Sequence, residues 1–210
     1  MQEIKNISAY RRQLKGRILK EAMKLFAQKG IKAVTMDDIS RKLNISKRTI
    51  YEIYENKEVL LFEGVKAYME KREREMAEYV KTNQNVMDVI LHVYHQKVKE
   101  FRKTAPVFYE EIGMYPKVQE FFEGKRKENR QQMYDFLTKG SEEGYFREDI
   151  DKDLVILLFD SIGQLFMNKR LYLHYSIESV LNNIMLISLR GICTAKGIEV
   201  LDEFLKSQAK

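Results

Sequence analysis

Between Thr35 and Tyr51 the sequence encodes two short helices that a single long one cannot replace. Met36, Ile39 and Leu43 recur at the spacing of one buried helical stripe. Thr35 precedes them and Asp38 stands three positions later, a short version of the capping box in which each side chain satisfies the other's backbone N–H. Asn44 tolerates positive φ and can turn the chain, Ile45 can plug the core, and Ser46 can cap a third helix starting at Lys47. Ser40 lies mid-way along the first of the pair, where two helices crossing at a large angle need a small residue. The spacing is that of a helix-turn-helix.

The surrounding sequence is helical too. Leu14, Ile18, Ala22, Leu25 and Phe26 mark a first helix that Gly30 can end with a left-handed cap. Glu55 and Asn56 read as a connection and a cap, and Lys57 opens a long charged helix to about residue 80, with Leu60, Leu61, Val65, Tyr68 and Met69 inward. Further segments are predicted at 85–103, 105–112, 117–140, 151–174 and 177–195, with a tail helix at 198–206. Two prolines and ten glycines in 210 residues leave little turn chemistry for a many-stranded sheet. The expected fold is all-α, with about nine to ten helices: a three-helix helix-turn-helix domain at 1–56 and a larger helical domain at 57–210.

Charge is unevenly spread. Residues 1–57 hold fourteen Lys and Arg against six Asp and Glu, whereas the remainder is slightly acidic, so any polyanion-binding surface is N-terminal. No apolar run reaches the ~18 residues of a membrane helix, the first ten residues lack a signal-peptide core, and Cys193 is the only cysteine. These features lead to the expectation of a cytoplasmic protein without disulfides and without a membrane partner.

The stretch from Thr35-Met36-Asp37-Asp38-Ile39-Ser40 through Lys42-Leu43-Asn44-Ile45-Ser46-Lys47-Arg48-Thr49-Ile50-Tyr51 to Tyr54-Glu55-Asn56-Lys57-Glu58 and Leu60 resembles the DNA-binding region of the TetR family of bacterial transcriptional regulators. The specific resemblance covers about residues 14–61. A recognition helix places its N-terminal residues at base edges, which puts Lys47 and Arg48 in position for base contact, with Thr49 and the capping Ser46 beside them. Arg48 can grip guanine O6 and N7 with two hydrogen bonds. The resemblance implies phosphate contacts from Thr35, Tyr51 and Lys57, consistent with the anion-binding character of helix N-termini. The chain departs from the family at Ile53, where an aromatic residue or His is common, and at Tyr54, where Phe is. Ile53 cannot bind a phosphate; Tyr54 either supplies that contact or packs in the core.

In the larger half, the resemblance implies an internal pocket for a small molecule. Tyr94, Phe101, Phe108, Tyr109, Tyr115, Met133 and Phe136 lie on segments that could line it, walls suited to an apolar or aromatic effector, although aromatic and Met residues at helical spacing also simply fill cores. Leu154, Leu157, Leu158, Ser161 and Leu165 make one stripe of the helix at 151–174, and Val155, Phe159, Ile162 and Phe166 make a neighbouring one. The last main helix is apolar around much of its girth. Such helices need cover from two sides, and the resemblance implies a four-helix homodimer interface, with Leu158, Ser161, Ile162, Leu165, Leu181, Ile184 and Ser188 as candidates. Two-fold symmetry then predicts an approximately palindromic operator.

Catalytic chemistry is not expected. The chain has no Gly-rich phosphate loop, no HExxH and no Cys cluster. Asp88, His92 and His95 share a helix face, but no metal is expected there, nor any cofactor. The acidic pairs Glu110–Glu111 and Glu142–Glu143 read as solvated faces. The reading is a homodimeric, sequence-specific DNA-binding regulator, a repressor that a small molecule releases. The alternatives are a DNA-bound structural or interaction protein of the same fold with no effector, and a helical enzyme or carrier with an incidental basic N-terminus.

Overall fold

Helix α1 (Gln2–Lys29) opens the computed structural model, which describes the backbone of residues 2–82 and 85–208 and, within them, side chains from Tyr10 to Ser207. Leu14, Ile18, Ala22, Leu25 and Phe26 are all buried along one stripe. The helix ends at Gly30, whose φ of 86° only glycine adopts without strain, with its N–H donating to Phe26 O at 2.9 Å. Helix α2 (Met36–Leu43) carries the capping box, with Asp38 N–H donating to Thr35 Oγ1 at 3.1 Å and Thr35 N–H to Asp38 Oδ2 at 2.9 Å. Asn44 turns the chain at φ 53°, Ser40 is buried, and Ser46 caps α3 (Lys47–Ile53).

Helix α4 (Lys57–Lys81) starts where Asn56 Oδ1 accepts the Val59 N–H at 2.9 Å. Leu60, Leu61, Gly64 and Val65 are buried, and at Gly64 a Cβ would lie 2.5 Å from Met23 Sδ, so α1 and α4 touch at the one residue without a side chain. Helix α5 (Val86–Lys103) follows, then α6 (Pro106–Ile112) with proline in its first turn. The Ala105 N–H preceding α6 donates to Ala27 O at the end of α1, at 2.7 Å.

The chain forms two compact units. The first runs through Glu75 and includes Lys103–Glu120; the second comprises Met76–Arg102 and the chain from Phe121 onward. The boundary expected at 56/57 thus falls inside the first unit, because the start of α4 and all of α6 pack with the helix-turn-helix.

Helix α7 (Pro116–Glu142) starts in the first unit and from Phe121 belongs to the second, where it leads into a turn at Gly144, φ 75°, and α8 (Lys152–Asn168) is capped by Asp151, which accepts the Leu154 N–H at 3.1 Å. Val86, Met87, Leu137, Phe146, Leu181 and Leu201 form the centre of its core. Gly140 lies directly against the Phe146 ring, where no side chain fits. Phe146 pairs with Cys193 in an isolated β-bridge, and burial pushes that thiol up to about 11.

Two predicted helices are shorter than expected. The segment 151–174 breaks after Asn168, because Arg170 takes a left-handed φ of 50° and a 3-10 turn (Leu171–Leu173) follows. The segment 177–195 divides into α9 (Ile177–Val180), a π-helical turn (Leu181–Met185) and α10 (Leu186–Ile192). The π turn changes the angular register, so apolar residues appear on more sides than one straight helix could bury. Helix α11 (Ala195–Gln208) begins three residues before the predicted 198.

Candidate nucleic-acid interface

Lys47, Arg48 and Tyr51 are exposed on α3, which the fully buried Ile50 anchors. The Arg48 side chain is 88% exposed, and its Nε donates to Glu52 Oε1 at 2.8 Å; Lys47 Nζ pairs with Asp37 across the turn. Both base-reading candidates therefore carry an intramolecular acidic partner. Ser46 Oγ accepts the Thr49 N–H at 3.0 Å and lies 2.8 Å from Thr49 Oγ1, so both hydroxyls serve the helix cap. The exposed Thr35 stands at the N-terminus of α2 beside unpaired first-turn N–H groups. Its hydrogen bonds hold the Asp38 carboxyl below the usual Asp range.

Two expected phosphate ligands have other duties. Tyr54 is 2% exposed, its hydroxyl reaches Lys15 O at 3.5 Å, and Lys15 Nζ lies 5.6 Å from the ring centroid. Of its two readings, packing holds, because its place at the end of α3 turns it inward beside Ile50. Lys57 donates to Ile31 O at 2.8 Å, Val34 O at 2.9 Å and Lys32 O at 3.4 Å. Its ammonium thereby fastens the α1–α2 connection instead of standing free toward solvent.

The opposite side of that connection holds a residue that sequence reasoning missed. Glu111 is buried, and its Oε2 accepts the N–H groups of Ile31 at 2.5 Å and Lys32 at 2.8 Å. Read as a solvated face, Glu111 is instead the clamp on the segment that delivers Thr35. Glu143 is likewise engaged, accepting the Val86 N–H at 2.8 Å. The only signal for Glu111 was its place late in a short helix behind Pro106, and its target lies 80 residues away in sequence. A Cβ on Gly30 would meet Glu111 Oε2 at 2.9 Å, so this glycine serves both the helix end and the clamp.

The candidate pocket residues are divided between the two units. Phe108, Tyr109 and Tyr115 belong to the first unit, with Phe108 edge-on to Tyr109 at 5.8 Å. Burial, then the nearby Glu111 and Glu58, raises the Tyr115 hydroxyl. In the second unit Tyr94 is buried and donates to Asn182 Oδ1 at 2.9 Å, Phe101 meets Phe166 edge-on at 5.2 Å, and Phe136 packs beside Phe146. Met133 is 43% exposed.

The dimer candidates divide as well. Leu158, Ser161 and Leu165 are exposed, joined by Leu154 and Leu157 of the same stripe and by Ile187 of α10, which the candidate set omitted. Ser161 satisfies its hydroxyl on Leu157 O at 2.7 Å, and Ser188 on Ile184 O at 2.8 Å. Ile184 and Ser188 are half-buried. Ile162 and Leu181 are buried within the chain itself, because they lie on the inward stripe, and they leave the interface set.

His92 stacks on Tyr79 with centroids 3.9 Å apart, His95 lies edge-on to Tyr94 and Phe204, and Asp88 is paired with Asn85 at the start of α5. Among the described residues no three His, Cys, Asp or Glu side chains are grouped to hold a metal. No described helix is long and apolar enough to cross a membrane.

An all-helical chain with an exposed recognition helix on a capped, internally clamped helix-turn-helix is a DNA-binding transcriptional regulator. Residues 18–63 match the family of bacterial regulatory proteins, tetR family. The chain is 26% identical over 147 residues to the HTH-type transcriptional repressor KstR2 of Mycobacterium tuberculosis, covering 67% of this chain and 73% of that one. Over 52 residues it is 40% identical to IcaR, the HTH-type negative transcriptional regulator of the icaADBC biofilm operon in Staphylococcus epidermidis, covering 25% of this chain and 28% of that one. In fold it is similar to a transcriptional regulator from Saccharomonospora viridis in complex with choline, at TM-score 0.67 and 18% identity, over 87% of this chain and 99% of that one. The match to that family covers the helix-turn-helix region, and the relatives that the chain resembles are transcriptional regulators and not enzymes.

Proposed function

We propose that the protein is a repressor that binds an approximately palindromic operator as a homodimer, in the cytoplasm, and leaves it when a small apolar or aromatic molecule binds the helical domain. The observation that carries the dimer is the row Leu154, Leu157, Leu158 and Leu165 on α8, all exposed, with Ile187 exposed on α10. An apolar stripe of that extent is covered in a stable soluble protein, and a second copy of the same helices covers it symmetrically. Repression follows the relatives named repressors, and the effector follows the choline-bound neighbour together with the aromatic composition of this chain.

In this reading Arg48 and Lys47 contact bases, while Thr35 and Tyr51 contact phosphates. Lys57 acts indirectly, by fixing the α1–α2 connection. Release requires that the effector favour a dimer geometry whose recognition helices do not fit the half-site spacing. The test is selection of bound duplexes from a random pool at fixed salt, with the Lys47→Ala/Arg48→Ala protein as control. Enrichment of an inverted repeat by the parent alone supports the reading, and recovery of the same unpatterned pool by both proteins refutes it.

A further inference from the structure

Helix α1 begins well before the family match. The family match begins at residue 18 and the first buried residue among those described is Leu14, yet the helix runs back to Gln2. At about 3.6 residues per turn, Arg11, Arg12 and Lys15 fall on the side toward the helix-turn-helix. Arg17, Lys20 and Lys24 fall on the opposite side. Arg11 Nη2 donates to Glu52 O, in the last turn of α3, at 3.2 Å. The N-terminal segment of α1 therefore passes the end of the recognition helix.

Both Arg11 and Arg12 are exposed. Lys15 has Glu63 as an ionic partner at 3.7 Å, but among the described residues no carboxylate pairs with Arg11 or Arg12. A guanidinium has five N–H donors, so the single bond from Arg11 to a carbonyl leaves most of them open to an anion. Tyr51, exposed on α3, stands one residue before Glu52, so these cations continue the surface already assigned to DNA.

We propose that Arg11 and Arg12 of α1, which precede the family match, form a second phosphate-binding surface that follows the DNA backbone beside the groove that α3 reads. The proposal rests on the DNA-binding reading of α3. Because phosphate contacts carry no sequence information, this surface raises affinity for every duplex and leaves the preferred sequence unchanged.

The experiment compares the salt dependence of duplex binding for the full chain, Arg11→Ala/Arg12→Ala, Arg11→Lys/Arg12→Lys and Lys20→Ala/Lys24→Ala. Each uses the duplex enriched by the parent and a scrambled one. The slope of log affinity against log salt becomes shallower by about 0.9 for each phosphate contact removed. The expected result is a shallower slope on both duplexes for the alanine pair at residues 11 and 12, restoration by the lysine pair, and little change for the pair at 20 and 24. Equal losses from both alanine pairs would mean a general field effect and overturn the proposal. An unchanged slope at residues 11 and 12, with the parent binding normally, overturns it while leaving the reading of α3 intact. Failure of the parent to bind any duplex overturns both.

Discussion

Glu111 accepts the backbone N–H of Lys32 at 2.8 Å with the same oxygen that takes the N–H of Ile31. One carboxylate from α6 thus fixes the donors of the α1–α2 connection, while Lys57 from α4 takes its carbonyls. Glu111→Ala leaves the Ile31 N–H buried without an acceptor, at a cost of about 1–3 kcal/mol. A lower urea midpoint with unchanged slope checks this. Glu111→Gln retains an oxygen acceptor and loses less; equal losses in the two variants would show that the carboxylate oxygen is not what holds the turn.

Gly30→Ala strains the same place from the other side. A left-handed φ costs a residue with a Cβ about 1–2 kcal/mol, and that Cβ also lies 3.0 Å from Val107 Cγ1. The melting temperature is expected to fall, with DNA affinity at fixed salt weakening alongside it.

Acid titration isolates the α2 cap. Asp38 has a folded pKa below its ordinary 3.8, so its contribution is fully present above 3.8 and is lost as pH falls through the lowered folded value. Asp149 beside Arg147 and Asp202 beside Arg190 behave in the same sense, so the parent loses stability from several sites. Urea unfolding at graded acidic pH should show a shallower acid loss for Asp38→Asn than for the parent; parallel curves would remove Asp38 from the account.

The helix-turn-helix was legible because its determinants are local. Thr35 with Asp38, Asn44, Ser46 and Asn56 each act within four residues, and each took the conformation its chemistry requires. Glu111 and Lys57 were not legible, since their partners are carbonyls and N–H groups that carry no sequence signature. The two stripes of α8 were read correctly as stripes, but periodicity alone does not say which one faces inward. Ile162 lies on the stripe that is buried within the chain. The breaks at Arg170 and at the π turn contain neither Gly nor Pro, the usual marks of an interrupted helix.

Leu154→Glu/Leu157→Glu places charge on the exposed stripe of α8 without touching the buried one. Light scattering is expected to report the proposed dimer for the parent and a monomer for the variant, with helical content retained by circular dichroism. The parent's melting temperature is expected to rise with protein concentration, and that dependence to disappear in the variant.

Glu52→Gln removes the acidic partner of Arg48 and one negative charge from the side of α3 proposed to face DNA. Binding to scrambled duplex is expected to strengthen at low salt, with a smaller gain on the enriched duplex, so the affinity ratio between the two falls. An unchanged ratio would assign Glu52 no part in discrimination.

Under the proposed reading of DNA by α3, the pairing of Arg48 with Glu52 and of Lys47 with Asp37 would set an order of events on DNA. Exposed ion pairs of this kind are weak, so they exchange readily. Yet each occupies a reading cation until a better acceptor is offered. A guanine edge in register offers Arg48 two acceptors at once, whereas a mismatched pair gives it no reason to leave Glu52. On that reading the protein would travel along a duplex with Arg48 and Lys47 folded back, and commit them only where the sequence matches.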